Sequence, residues 1–473
     1  MKTGLGKKGY IILKKDLSTT QIQKIKKDLT VRPFVLMNVV MKKPPSFRLY
    51  LESKSKLYLP RHYGVANFGI PSSNSNTLQK KGEIITTTFA GELRPEQLPV
   101  VEAFLEKGKQ EGGGLISLPC GSGKTIISLY LISQLHLKTL IIVHKEFLLT
   151  QWKERIQTFL PNARIGLIQA HKVNLDQKDI VIGMLQSISM KEYPPGTFDS
   201  FGLVIVDECH HLGAEVFSRA LPKVATRYML GLSATPERKD GLRCVFEWYL
   251  GNMIYCIKER EQDQVSVKWY QFYSEDLQYC QEETNFRGMV NSPRMITKIS
   301  LYQPRNEIIL QELATAAHSE RKILVLSDRR DHLTFLKQEI DKRKIGGAGF
   351  YVGGTTRIEL KLAEKKQIIL GTYAMASEGM DIPSLNTILL ATPKTDVEQS
   401  VGRIFRQKKE ERTHIPLIID VVDNGIPCFK RQGYQRKRFY RKNGYQIQSI
   451  DHRTHQEKDV SEDLFSQCVF ETT

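Results

Sequence analysis

Residues 115–135 read LISLPCGSGKTIISLYLISQL, and this stretch decides the fold. A short apolar run (Leu115, Ile116, Leu118) gives way to Pro119-Cys120-Gly121-Ser122-Gly123-Lys124-Thr125. An apolar segment long enough for a buried helix follows. Strand, glycine loop and helix in that order form the plan of a phosphate-binding loop. Gly121 and Gly123 carry no Cβ, so the backbone there can curl and aim its N–H groups at phosphate oxygens. A helix beginning near Lys124 adds the positive end of its dipole. In this reading Lys124 reaches the β- and γ-phosphates and the Thr125 hydroxyl binds Mg2+. The strict pattern is broken once: Leu118 stands six residues before the lysine, where glycine is expected.

Further strands lie on both sides of this loop. Arg94-Pro95-Glu96-Gln97 opens a helix with proline in its first turn, and Leu98, Val101, Phe104 and Leu105 face inward. After the loop come apolar strands at 139–143 (TLIIV), 179–182 (DIVI), 203–206 (LVIV) and 229–232 (MLGL). Helical patterns separate them. Such alternation predicts a doubly wound parallel sheet covered on both faces, with ligands at the carboxyl ends of the strands. A second alternating region begins near Asn306, with strands expected at 323–326, 350–352, 367–370, 387–390 and 417–421. It has no phosphate loop. One glycine loop shared by two α/β domains predicts a nucleotide with one wall from each.

Composition bounds the rest. The chain has 473 residues, long enough for about three domains, and its 41% hydrophobic and 25% charged content is that of a globular protein. A net charge of +18 and a pI near 9.4 favour a polyanionic partner, nucleic acid before membrane. No apolar run approaches the roughly 20 residues that span a bilayer, and the basic N-terminus lacks the apolar core of a signal peptide. The seven cysteines form no CxxC pair, which fits a reduced, intracellular, soluble setting. The expected division is a basic N-terminal accessory region at 1–81, a first domain at 82–241 and a connector or small insertion at 242–305. A second domain at 306–445 and a tail at 446–473 complete it.

The chemistry gathers at strand ends. Asp207-Glu208-Cys209-His210 follows the strand at 203–206, so Asp207 can hold Mg2+ opposite Thr125 while Glu208 polarises the attacking water. Ser233-Ala234-Thr235-Pro236 follows the next strand, where Ser233 and Thr235 could couple the nucleotide site to nucleic acid, a task that His210 would share. In the second half, Gln399, Arg403 and Arg406 recur at helical spacing, so the two arginines could neutralise charge on the transferring phosphoryl group. Basic residues interleave with aromatics from Phe429 to Tyr445, a composition suited to strand binding or to a solvated helix face.

Taken together, LPCGSGKT, DECH, SATP, Arg238-Lys239-Asp240-Gly241-Leu242 and QSVGRIFR resemble, in order, the motifs of superfamily-two helicases, most closely the XPB-like branch. The N-terminal PRHYG stretch and the tail are similar to those of the transcript-release helicases of poxviruses and other nucleocytoplasmic large DNA viruses. The resemblance implies two RecA-like domains, ATP and Mg2+ as cofactors, and a motor gripping one strand of nucleic acid. It assigns Arg94 and Gln97 to the adenine. Thr372, Gly379 and Asp381 fall in the motif TYAMASEGMD, which senses both nucleotide and nucleic acid. Gln151, Trp152, Gln186, Ser187 and Thr372 become candidate nucleic-acid contacts, with core packing an equal reading for Trp152. DNA, single-stranded or duplex, is the expected substrate, with transcription machinery as a partner and a virus factory in the host cytoplasm, or the virion, as the place. An RNA helicase, an ATP-dependent clamp without processive unwinding, and a restriction-type motor are the competing readings.

Overall fold

The computed structural model describes residues 2–34, 44–71, 82–119, 121–209, 214–234, 240–257, 264–286, 288–378, 380, 382–405, 407, 411–454 and 457–459. Two compact units divide at Lys258 and Glu259.

The first unit is built on an eight-stranded sheet. Its order is Lys172–Asn174, Ile165–Gln169, Ile180–Met184, Thr139–Val143, Leu203–Val206, Tyr228–Ser233, Gly113–Ser117 and Met253–Cys256. All pairings are parallel except that of the edge strand Lys172–Asn174. The central strands are buried on both faces, as their unbroken apolar runs require. Side chains still alternate: Leu140 and Ile142 join the core on one face, Ile141 and Val143 the core on the other. All five strands expected here form.

Residues 3–68 add a small antiparallel sheet in the order Thr3–Gly6, Gly9–Leu13, Lys56–Leu59 and Leu51–Glu52. Ser18 caps the helix Thr19–Asp28: its Oγ accepts from the Gln21 N–H at 3.2 Å, and Gln21 Oε1 accepts from the Ser18 N–H at 2.8 Å. The PRHYG stretch opens the helix Arg61–Phe68. Gly64 is required there by close approach, because a Cβ would lie 2.2 Å from Tyr10 Cγ. Leu5, Tyr10, Ile12, Leu57 and Leu59 share one core with Phe246 and Leu250 of the α/β domain. Arg61 Nη1 donates to the carbonyls of Gly112 at 3.1 Å and Arg227 at 2.9 Å. The accessory region is therefore docked on the domain as part of one core.

The second unit carries another eight-stranded sheet, ordered Ala348–Tyr351, Ile368–Gly371, Ile323–Leu326, Thr387–Leu390, Leu417–Asp423, Ser266–Phe272, Gln446–Asp451 and Glu457–Asp459. These sheets take in residues on both sides of the expected domain bounds. In the stretch at 242–305, expected as a connector or small insertion, Met253–Cys256 pairs with Gly113–Ser117, and Ser266–Phe272 lies between Leu417–Asp423 and Gln446–Asp451. The tail begins as a sheet strand, Gln446–Asp451. Partners far away in sequence create these memberships, so no local pattern announces them. The helix Pro427–Lys442 buries Phe429, Arg436 and Tyr440, with Arg436 clamping Asp420 through two 2.8 Å hydrogen bonds. Its basic and aromatic residues thus divide between an internal ion pair and an outer face with Lys430, Tyr434 and Arg438 exposed.

Candidate nucleotide site

The buried strand Gly113–Ser117 delivers the chain to the loop, and Leu118 is itself core. The Leu118 N–H donates to Ser233 O at 3.0 Å, and its carbonyl accepts from Lys124 Nζ at 3.1 Å. Its φ is negative, so nothing at this point demands glycine; the break in the strict pattern is thereby explained. Gly121 and Gly123 do have positive φ, 85° and 80°. Gly123 then caps the 12-residue helix Lys124–Leu135, with Thr125 in its first turn. A Cβ on Gly123 would lie 2.2 Å from Gln97 Nε2. Gln97 is buried; its Nε2 donates to Ser122 O at 3.1 Å and its Oε1 accepts from the Arg94 N–H at 3.0 Å. Arg94 and Gln97, singled out for the base, are thus joined to each other and, through Gln97, to the phosphate loop. Pro119 starts the turn, its carbonyl accepting from the Ser122 N–H at 3.3 Å.

Asp207 follows Leu203–Val206 and is buried at 6% exposure. Its Oδ1 accepts from the Glu208 N–H at 3.0 Å and its Oδ2 from Trp152 Nε1 at 2.8 Å. Burial, reinforced by the Glu208 carboxylate, pushes the Asp207 carboxyl up to about 6, against the Trp152 hydrogen bond and the Lys124 charge. Glu208 has φ of 46°, a left-handed conformation that costs a non-glycine residue about 1–2 kcal/mol. Its Oε1 sits 3.9 Å from Lys124 Nζ. A buried carboxylate that resists ionisation, beside a second carboxylate and a glycine cradle, fits a hard divalent cation. Asp207 and Thr125 would hold Mg2+, which supplies charge neutralisation for β- and γ-phosphates when bound.

Trp152 requires a correction. Leu148, Leu149, Trp152 and Ile156 form the buried stripe of the helix Glu146–Phe159, and Trp152 is only 1% exposed. It is no nucleic-acid surface: core packing takes its ring and Asp207 takes its N–H. The i, i+1, i+4, i+8 apolar spacing was the signal. Trp152→Phe keeps the ring and removes the donor, so the Asp207 carboxyl should rise further. Mg2+-dependent nucleotide binding at neutral pH should weaken about tenfold, as measured by titration with a fluorescent ATP analogue. Unchanged Mg2+ dependence would remove Trp152 from the site.

The remaining residues sit as follows. Ser233 is buried and tied to the loop through Leu118, and Gln151 lies on the helix Glu146–Phe159. Exposed Gln186 donates to His144 O at 3.2 Å, and Ser187 Oγ accepts from the Ala170 N–H at 2.9 Å. In the second unit, the Thr372 carbonyl starts the helix Tyr373–Glu378 by accepting from the N–H groups of Met375 and Ala376. Glu398–Val401 is a short helix that tightens into a 3-10 turn over Gly402–Phe405. Gln399 therefore lies in the α-helical turn and Arg403 in the 3-10 turn that follows it. Arg403 is buried, its Nη1 donating to Met380 O at 2.9 Å. Cys120, His210, Thr235, Gly379, Asp381 and Arg406 lie outside the described residues.

A glycine-cradled lysine, a buried aspartate and a neighbouring glutamate at the ends of parallel strands define a phosphate-loop nucleotide hydrolase. Residues 90–238 match the family described as type III restriction enzyme, res subunit. L396 of Acanthamoeba polyphaga mimivirus, named as an ATP-dependent RNA helicase, is 35% identical over 457 residues, covering 95% of this chain and 87% of that protein. A protein of invertebrate iridescent virus 6 named as helicase 161L is 29% identical, covering 78% of this chain and 85% of its own. A solved fragment named as an HsdR subunit of a type I restriction enzyme from Vibrio vulnificus YJ016 shares the fold at 18% identity, with a TM-score of 0.53 over 78% of this chain and 71% of that one. The chain belongs to the superfamily-two helicases: it is an ATP-dependent helicase acting on nucleic acid. Among the described residues no helix is long and apolar enough to cross a membrane.

Proposed function

We propose that the chain is an intracellular DNA translocase with Mg2+-ATP as fuel, serving viral transcript release or repair alongside the transcription machinery. The observation that carries the motor reading is the join between loop and sheet: Leu118 bonds to both Ser233 and Lys124, so a change at the phosphates reaches the strand end at Ser233 directly. Lys124 neutralises β- and γ-phosphate charge, Glu208 polarises the attacking water, and Asp207 with Thr125 holds Mg2+. Arg94 and Gln97 set the base end of the cradle. Gln399, Arg403 and Arg406 are assigned charge neutralisation and alignment of the transferring phosphoryl group, and Gly379 and Asp381 the sensing of nucleotide. Gln151, Gln186, Ser187 and Thr372 take the strand backbone, while His210, Ser233 and Thr235 couple the two sites.

A second reading, an RNA substrate, is favoured by the printed name of the mimivirus relative. ATPase rates with single-stranded DNA, duplex DNA and RNA, beside strand displacement on matched DNA and RNA duplexes, decide between them. DNA should stimulate most; stronger stimulation by RNA would reverse the substrate assignment. Stimulation without displacement or movement would instead support an ATP-dependent clamp. Affinity should fall linearly with salt on a log–log plot, by about 0.7 in slope per single-strand phosphate contacted. A flat plot in fluorescence titrations would contradict a backbone-dominated grip.

A further inference from the structure

The accessory module holds most of the charge. Residues 2–71 contain fifteen lysines and arginines against three acidic residues, which leaves them with twelve of the chain's eighteen net positive charges. All three acids are engaged: Asp16 accepts from the Lys2 N–H at 2.6 Å, and Asp28 accepts from the Tyr63 hydroxyl at 3.1 Å. Glu52 lies 3.0 and 2.9 Å from the ammonium groups of Lys14 and Lys26. The surface field of the module is therefore almost purely cationic.

One cleft lies where this module meets the first α/β domain. Lys8, Arg48, Arg61, Tyr50 and Tyr58 line it from the module, Pro222 from the domain, and no acidic residue borders it among the described residues. Lys8 Nζ stands 5.5 Å from the centroid of the half-buried Tyr58 ring, and the Arg48 guanidinium 6.0 Å from that of Tyr50. Arg61 spends Nη1 on the carbonyls of Gly112 and Arg227, while its buried Nε has no hydrogen-bond partner in the protein. Gly112 and Arg227 precede the strands Gly113–Ser117 and Tyr228–Ser233. The cleft thus sits at the amino-terminal ends of the strands, the end opposite Lys124 and Asp207.

We infer that this cleft seats a nucleotide unit of a nucleic-acid strand, with phosphate on Lys8 and Arg48 and a base against Tyr58. The inference rests on the reading that the chain acts on nucleic acid, but at a separate place from the motif-lined strand contacts. Cations beside an accessible aromatic ring match a phosphate next to a flat base. The charge spread over the whole module selects a polyanion over a free nucleotide, because each additional phosphate neutralised adds to affinity. Since the module shares its core with the first domain, a strand held here is carried with that domain.

The test is a full-length variant combining Lys8→Gln, Arg48→Gln and Tyr58→Leu, which spares the structural Arg61, Lys14 and Lys26. Binding of a fluorescent single-stranded oligonucleotide is titrated across salt. Affinity at about 0.15 M salt should drop at least tenfold, and the log–log slope should become shallower by about 1.4, two contacts at 0.7 each. ATPase without nucleic acid should match the parent chain. Lys8→Arg with Arg48→Lys should keep the parent slope. A thiouridine oligonucleotide should photocrosslink within residues 48–59, and unlabelled oligonucleotide should compete for that crosslink where millimolar AMP does not. Parent-like affinity and slope in the triple variant overturn the cleft assignment alone. Equal competition by AMP overturns the strand as occupant. Absence of oligonucleotide binding by the parent chain would overturn both this inference and the reading beneath it.

Discussion

ATP hydrolysis by Lys124→Ala is expected to fall below detection, and unwinding with it. Lys124 Nζ lies 3.1 Å from the Leu118 carbonyl and 3.9 Å from the Glu208 carboxylate, with its side chain 10% exposed. That position places one positive charge inside the curl formed by Gly121 and Gly123, where solvent screening is weak and an ionic contact is strong. Single preorganised contacts to developing charge are worth about 10²–10³ in rate. Lys124 is proposed to act on the phosphates and also lies beside the Asp207 and Glu208 carboxylates, so its loss should exceed that range. Steady-state phosphate release is the measurement, with circular dichroism to establish that the variant is folded. Near-normal turnover in a folded variant would end the assignment of the phosphate loop.

Glu208→Gln should lose hydrolysis by about 10²-fold or more while keeping ATP and Mg2+ binding. Glutamine has the same shape, so the positive-φ backbone at this position is strained no further. What disappears is the carboxylate proposed to polarise the attacking water. Binding should survive because Lys124, Thr125 and Asp207 remain. The sign of the side effect on Asp207 is fixed as well. The Glu208 charge is the second cause of its raised pKa, after burial, so the variant's Asp207 should ionise at a lower pH than about 6. Mg2+-dependent nucleotide binding near pH 6 should therefore hold or improve in the variant. Normal hydrolysis would mean that another residue positions the water. Lost nucleotide binding would mean that Glu208 holds the metal itself.

The phosphate loop, Asp207-Glu208 and the ten strands expected across the two units were all legible from local chemistry. Glycines before a lysine, acids after an apolar run, and apolar runs of strand length each carry their meaning within about ten residues. Leu148, Leu149, Trp152 and Ile156 also had a readable period, but which polar group the indole would meet depended on a residue 55 positions away. The same holds for Gln97 bracing Ser122, and for Leu118, whose acceptability in place of glycine follows from its negative φ and its bond to Ser233. Sheet membership of Ser266–Phe272 and Gln446–Asp451 required pairing across more than 150 residues, which no window of sequence contains. The concentration of charge in residues 2–71 was countable, yet the approach of Lys8 to Tyr58 appeared only once Gly9–Leu13 was paired with Lys56–Leu59. Sequence determines what each segment can do alone, because propensity and periodicity act over a few residues. Tertiary structure decides which groups meet, because burial and long-range pairing choose neighbours that the chain order does not.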